Sequence, residues 1–156
     1  MARSVTGNRG AFLDMIAASE GTSTVEGSDD GYNVEVGGTL FHDYSNHPHV
    51  VEHLKSGNHE ILSSAAGRYQ LLGRYFDTYK VQLGLLDFSP ASQDAIAIQQ
   101  VRECHSLDAV DKGNIPQAIQ LCAHIWASLP GAGYGQRENK IQTLLADYQK
   151  AGGSLA

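Results

Sequence analysis

Ala11-Phe12-Leu13-Asp14-Met15-Ile16-Ala17-Ala18-Ser19-Glu20-Gly21-Thr22 is the stretch whose reading decides the fold. Phe12, Met15, Ile16 and Ser19 recur at i, i+3, i+4, i+7, which predicts a helix over Asn8 to Glu20 with Asp14 on the opposite face. Asn8 suits an N-cap, and Gly21 suits a C-terminal stop because glycine accepts the left-handed backbone at no steric cost. Glu20 then falls at the helix C-terminus, on the edge of an apolar stripe. Partial burial and the negative end of the helix dipole both disfavour its charged form. A carboxyl kept protonated near neutral pH is what general-acid cleavage of a glycosidic bond requires. The same residue at a helix end is also a common solvated surface carboxylate.

Working outward, Gly21 to Gly31 is a Gly- and Asp-rich loop. Tyr32 to Phe41 alternates around Gly37-Gly38 and predicts a small β-hairpin. His42 to Ala66 is polar and reads as short or irregular structure. Beyond it helices dominate. Tyr69, Leu72, Phe76, Tyr79 and Leu83 form a stripe, and Ser89-Pro90 is a cap followed by proline. A short helix is expected over Leu107 to Lys112 and a last one near Arg137 to Lys150. Between them, Asn114 to Ala127 is apolar nearly all round, so it predicts a central, buried helix. The expectation is one α+β domain over residues 1–156, predominantly helical, with a small β-hairpin and a buried central helix.

The bulk properties limit the function classes. The chain has 156 residues, 42% apolar and 18% charged, with a net charge of −6. Length and composition fit one globular domain. The acidic balance argues against nucleic acid, whose backbone needs a Lys/Arg-rich face. Scattered basic residues argue against stable membrane association. No apolar run approaches the ~20 residues of a membrane span. Nothing near the start has the apolar core of a secretory signal, so the expectation is a protein made in the cytoplasm. Cys104 and Cys122 are not in a CxxC pair and read as two buried thiols.

Two further segments carry site chemistry. In Ala65-Ala66-Gly67-Arg68-Tyr69-Gln70-Leu71, small residues let backbone approach a ligand, Tyr69 offers a ring for a sugar face, and Gln70 offers hydrogen bonds. The competing reading is an ordinary helix start with Tyr69 in the core. In Leu129-Pro130-Gly131-Ala132-Gly133-Tyr134-Gly135-Gln136, three glycines surround Tyr134 in a loop that costs chain entropy and suits a site. It is not a phosphate-binding loop, since no Lys-Ser/Thr follows. His42, His47, His49, His53 and His59 cluster but lack HExxH spacing, and neither cysteine is nearby in sequence. No metal or other cofactor is therefore expected.

In combination and order, the segment ending in Ser19-Glu20-Gly21-Thr22, the segment Val36-Gly37-Gly38 to Phe41-His42-Asp43-Tyr44-Ser45, Gly67-Arg68-Tyr69-Gln70-Leu71, and Ile125-Trp126-Ala127-Ser128 to Gln136 resemble the lambda-type phage endolysins. These are peptidoglycan lytic transglycosylases of lysozyme-like fold. The resemblance covers nearly the whole chain. It implies Glu20 as the catalytic acid, with Gln70 and Tyr134, and then Tyr69 and Ser19, as glycan-binding residues. It implies peptidoglycan glycan strands as the partner, action as a monomer, and a host bacterial cytoplasm from which a membrane lesion releases the enzyme to the periplasm. The loop after Glu20 and the region His47 to Glu60 depart from the family pattern. Besides a zinc protein built on the histidine cluster, two alternatives stay open. One is a hydrolytic muramidase using Asp29, Asp30, Glu35 or Asp43 as second carboxylate. The other is an inert glycan-binding module in which Glu20 is dispensable.

Overall fold

The computed structural model describes residues 1–135 and 137–156, with Ser56 described by its backbone alone. Gln136, the end of the glycine-rich motif, lies outside the described residues. The elements in order are α1 (Gly7–Glu20), β1 (Glu52–Ser56), β2 (His59–Ser63), α2 (Gly73–Gln82), α3 (Pro90–Glu103), α4 (Leu107–Asp111), α5 (Ile115–Cys122) and α6 (Ile141–Lys150). This is the α+β class expected, mainly helical with, among the described residues, one two-stranded antiparallel sheet. No described helix is long and apolar enough to cross a membrane. The chain forms two compact units, residues 1–20 with 94–156, and residues 21–93.

In the first unit, α1 packs on α4 and α6. Gly10, Ala11, Phe12, Leu13, Met15, Ile16 and Ala17 are all buried, so α1 is enclosed on nearly every side. Burying Phe12, Leu13, Met15 and Ile16 contributes roughly 1.5–3 kcal/mol each. The helix starts at Gly7, and Gly10 N donates to Thr6 O, so Asn8 is not the cap. Asn8 instead accepts from Ser154 N and donates to Asp111 O. Asp14 does not simply face water. Its Oδ1 accepts from Ala2 N at 2.6 Å, tying the chain start to the helix. Gly21, with φ +76°, stops the helix as expected.

The enclosed helix is thus α1 and not the Asn114 to Ala127 segment. There α5 ends at Cys122. Ile115, Ala118, Ile119 and Cys122 are buried, while Gln117 and Gln120 are exposed. Leu121 is only half-buried and Ile125 is 37% exposed. Apolar character all round a helix does not compel burial all round, because much folded surface is apolar.

In the second unit the paired strands are β1 and β2, with Glu52↔Ser63 through Ser56↔His59 in register. This hairpin falls in the polar stretch expected to hold short or irregular structure, though no hairpin is expected there. It is held by cross-strand polar pairing, such as Lys55 opposite Glu60 and His53 Nδ1 to Glu60 Oε1 at 2.7 Å, so alternation of apolar residues does not announce it. The expected hairpin at Tyr32 to Phe41 exists as a tight reversal. Gly37 and Gly38 have φ +90° and +97°, and Phe41 N donates to Asn33 O, but only the Val34↔Leu40 bridge forms. The stripe from Tyr69 to Leu83 is also cut. Ala66 and Leu71 exchange backbone bonds at 2.9 and 3.0 Å, so the chain reverses there and α2 begins only at Gly73. Arg68, 1% exposed, anchors this unit. Its Nε donates to Asp30 O, its guanidinium donates to the Tyr69 hydroxyl, and Thr22 Oγ1 donates to its carbonyl.

Candidate active site

Glu20 is the last residue of α1, and its backbone is fixed by the buried turn before it and by Gly21 after it. It is half-buried. Burial pushes its carboxyl up to about 7, opposed by a hydrogen bond from Ser128. The Ser128 hydroxyl donates to Glu20 Oε1 at 3.3 Å. The negative end of α1 acts in the same direction as burial. The result is a reachable carboxylic acid that still holds its proton near neutral pH.

Ser128 is held by the core of the first unit. Trp126 and Leu129 on either side are buried, and Leu129 N donates to Trp126 O at 3.0 Å. Asn139 N donates to Ser128 O at 2.8 Å, closing the segment between them into a loop with joined ends. Inside that loop Glu138 accepts from Gly131 N and Gly133 N, which keeps its carboxylate below the usual range. Ser19 Oγ lies 2.7 Å from Ser128 Oγ. The Asn139 side-chain amide donates to Ser19 O at 3.1 Å and to Ser19 Oγ at 3.0 Å. Ser19, Glu20, Ser128 and Asn139 therefore form one network.

Of the residues picked out in the sequence, the first unit thus unites Glu20 and Ser19. Tyr134 is in the same unit, 57% exposed, with its hydroxyl donating to His124 O at 2.6 Å. Its ring is accessible and its phenol anchored. Gln70 and Tyr69 belong to the second unit. Gln70 has φ +53°, a conformation that costs a non-glycine residue energy and is found at ligand-facing positions. Its amide nitrogen donates to Val34 O at 3.1 Å and Gly67 O at 2.9 Å, which presents the amide oxygen as an acceptor. Tyr69 is 5% exposed and its ring packs edge-on to Tyr32, so it is a core residue with no open ring face for a sugar. Its expected part in stacking a sugar is corrected on that ground.

Sequence reasoning passed over Ser128 and Asn139. Ser128 stood within a motif already singled out, but a serine beside Trp126 carries no chemical mark of its own. Asn139 carried no signal at all.

The candidate second carboxylates all lie in the second unit, and local contacts hold Asp29, Asp43 and Glu35. Asp29 Oδ2 accepts from the Tyr44 hydroxyl at 2.6 Å. Asp43 accepts from Ser45 N and is held below its ordinary value by that contact. Glu35 is pushed up by burial and then by its hydrogen bond and like charge with Glu52. Within the histidine cluster, His47, His49 and His53 are engaged locally too. His47 Nε2 pairs with Leu71 O, and His49 Nε2 lies 2.8 Å from Asp77 Oδ1. Among the described residues no three His, Cys, Asp or Glu side chains are grouped to hold a metal ion.

Comparison with known proteins agrees with this architecture. Residues 10–155 match the family model described as Endolysin. The chain is 52% identical to the endolysin of Escherichia phage lambda over 153 residues, covering 97% of this chain and 95% of that one. It is 46% identical to the endolysin of Escherichia phage P2, covering 94% and 93%. The solved structure of bacteriophage lambda lysozyme complexed with a chitohexasaccharide superposes with a TM-score of 0.93 at 51% identity, covering 99% of both chains. A second structure of lysozyme from bacteriophage lambda gives 0.89 at 50% identity with the same coverage. With a lysozyme-like fold and matches over nearly its full length, the chain belongs to the endolysin family.

Proposed function

We propose that this chain is a phage endolysin that cleaves the β-1,4 bond between N-acetylmuramic acid and N-acetylglucosamine in peptidoglycan by intramolecular transglycosylation. The observation that carries the proposal is the Glu20 carboxyl, pushed up to about 7 and bonded by Ser128 at one oxygen. The chitohexasaccharide bound in the lambda lysozyme structure supports a glycan as the ligand.

The steps follow from one acid. Protonated Glu20 gives its proton to the bridging oxygen as the C1–O bond breaks with oxocarbenium character. The resulting carboxylate takes the proton of the muramic 6-hydroxyl, whose oxygen closes onto C1. Glu20 is protonated again, no water is consumed, and the product ends in a 1,6-anhydro sugar. The attacking hydroxyl belongs to the substrate, so proximity takes the place of a bound water. General acid/base assistance of this kind contributes roughly 10²–10⁴-fold. The amide oxygen of Gln70 accepts from a sugar acetamide or hydroxyl, and the Tyr134 ring covers an apolar sugar face. Ser19 acts through Ser128. A hydrolytic reaction needs a second carboxylate as base or nucleophile, and the Glu35–Glu52 contact, which favours a protonated carboxyl, makes Glu35 a poor one.

In this proposal residues 1–156 act as one catalytic domain and as a monomer, without metal or cofactor. The protein accumulates in the host cytoplasm and meets the wall once the membrane is breached. Mass spectrometry of fragments released from purified Gram-negative peptidoglycan tests the chemistry. Anhydromuramic ends, lighter by one water, are the expected product. Reducing muramic ends would instead assign a muramidase, and no fragments from folded protein would assign a binding module.

A further inference from the structure

Glu20 accepts one hydrogen bond, from Ser128, but a hydroxyl can point either way. What fixes its direction is upstream. The Asn139 side-chain nitrogen lies within 3.4 Å of three oxygens, Ser19 O, Ser19 Oγ and Ser128 O. Two of these are carbonyl oxygens, which accept only, so the amide must present its NH2 and not its oxygen to this corner. An amide NH2 only donates. Ser19 Oγ accepts from Asn139, which leaves its own proton available for Ser128 Oγ, 2.7 Å away, a contact in which either hydroxyl could donate. Ser128 Oγ in turn accepts from Ser19 and directs its proton at Glu20 Oε1.

We propose that Asn139 is a positioning residue for Glu20: its amide sets the direction of a hydrogen-bond chain from Asn139 through Ser19 and Ser128 to Glu20. The chain has two consequences for a group that must both give and take a proton. In the acid form, the donated bond occupies Oε1 as the carbonyl oxygen, so the acidic proton resides on Oε2. In the ionised form, the same bond stabilises the charge at Oε1 without any group having to reorient. Bonds in a directed chain also polarise one another, so the last link depends on the first. The charged residues on the same segment do not replace this effect. Glu138 is turned to Gly131 N and Gly133 N, and the influences on Glu20 are first its burial and then Ser128.

The inference rests on Glu20 being the acid, but its test reads Glu20 directly, without glycan. The side-chain carboxyl of Glu20 is followed by carbon NMR through a pH titration of the folded protein. Asn139→Ala removes the source of direction, and Ser19→Ala removes the middle link. The second variant leaves the Asn139 bonds to Ser19 O and Ser128 O in place, so it separates direction from loop anchoring. Both are expected to raise the Glu20 midpoint by about half to one unit, and the alkaline limb of wall lysis should move with it. Asn139→Asp, an acceptor beside Ser19, should raise it further. A midpoint unchanged within about 0.2 units in Ser19→Ala would overturn the proposal. That failure leaves Glu20 as the acid untouched, since the acid itself is judged by lysis with Glu20→Gln.

Discussion

Replacing Glu20 by Gln should make the folded protein more stable above neutral pH. The side chain keeps its shape and still accepts from Ser128, but it no longer has to ionise where burial opposes ionisation. The wild-type carboxyl is raised from 4.5 to about 7 in the folded protein. Below pH 4.5 it is protonated both folded and unfolded, so the pH-dependent part of its effect is absent. As pH rises through the window from 4.5 to about 7, the unfolded chain ionises first and the wild type loses stability relative to the variant. Above 7 the loss is complete. One pKa unit corresponds to 1.36 kcal/mol, so the difference amounts to about 2–3 kcal/mol once partial exposure is allowed for. In a chain of this size that is a Tm difference of about 5–10 °C. Thermal unfolding followed by circular dichroism at pH 4, 6 and 8, for wild type and Glu20→Gln, measures it. The variant's advantage should grow across that series. An advantage that is constant with pH, or absent at pH 8, would refute the claim that the fold holds Glu20 at an unfavourable charge.

Other predictions concern pH and packing. The kcat/KM for wall lysis should fall about tenfold per pH unit above about 7, because the first step needs protonated Glu20; a profile still flat at pH 9 would contradict this. Burial lowers His47 to about 4, so it stays neutral in the fold while the unfolded chain takes up a proton at ordinary values. Acidification from pH 6.5 through 4 should therefore destabilise the protein, and His47→Gln should flatten that part of the Tm–pH curve. Gly67 has φ +81° and a Cβ there would collide with the Gln93 side chain and the Phe88 ring. Gly67→Ala should cost about 2 kcal/mol or more in urea unfolding, with Ala66→Gly as a milder neighbouring control.

Much of the fold is legible in the sequence where local chemistry and burial agree. Gly21 ends α1, Ser89-Pro90 opens α3 with Ser92 N donating to Ser89 Oγ, α4 falls where expected, and α6 ends at Lys150 as expected but starts only at Ile141. Legibility fails where structure depends on distant partners. The β1–β2 hairpin is polar and exposed, so no alternation marks it. Arginine is mostly an exposed residue type, so nothing local marks Arg68 as buried; it is so because Asp30 O and the Tyr69 hydroxyl receive its donors. The apolar far side of the Asn114 to Ala127 segment predicts burial, but Leu121 is only half-buried and Ile125, beyond the end of α5, is exposed. At the site, Glu20 is visible as a carboxyl at a helix end. Ser128 and Asn139 join it only through contacts spanning 108 and 120 residues, which no local pattern encodes.

The most direct test of the central claim is lysis of purified peptidoglycan by Glu20→Gln protein whose folding has been verified by circular dichroism. The account predicts that wild type releases soluble fragments and that the variant releases none above the enzyme-free control. Fragment release by the variant at a rate near wild type would contradict it and remove Glu20 as the catalytic acid.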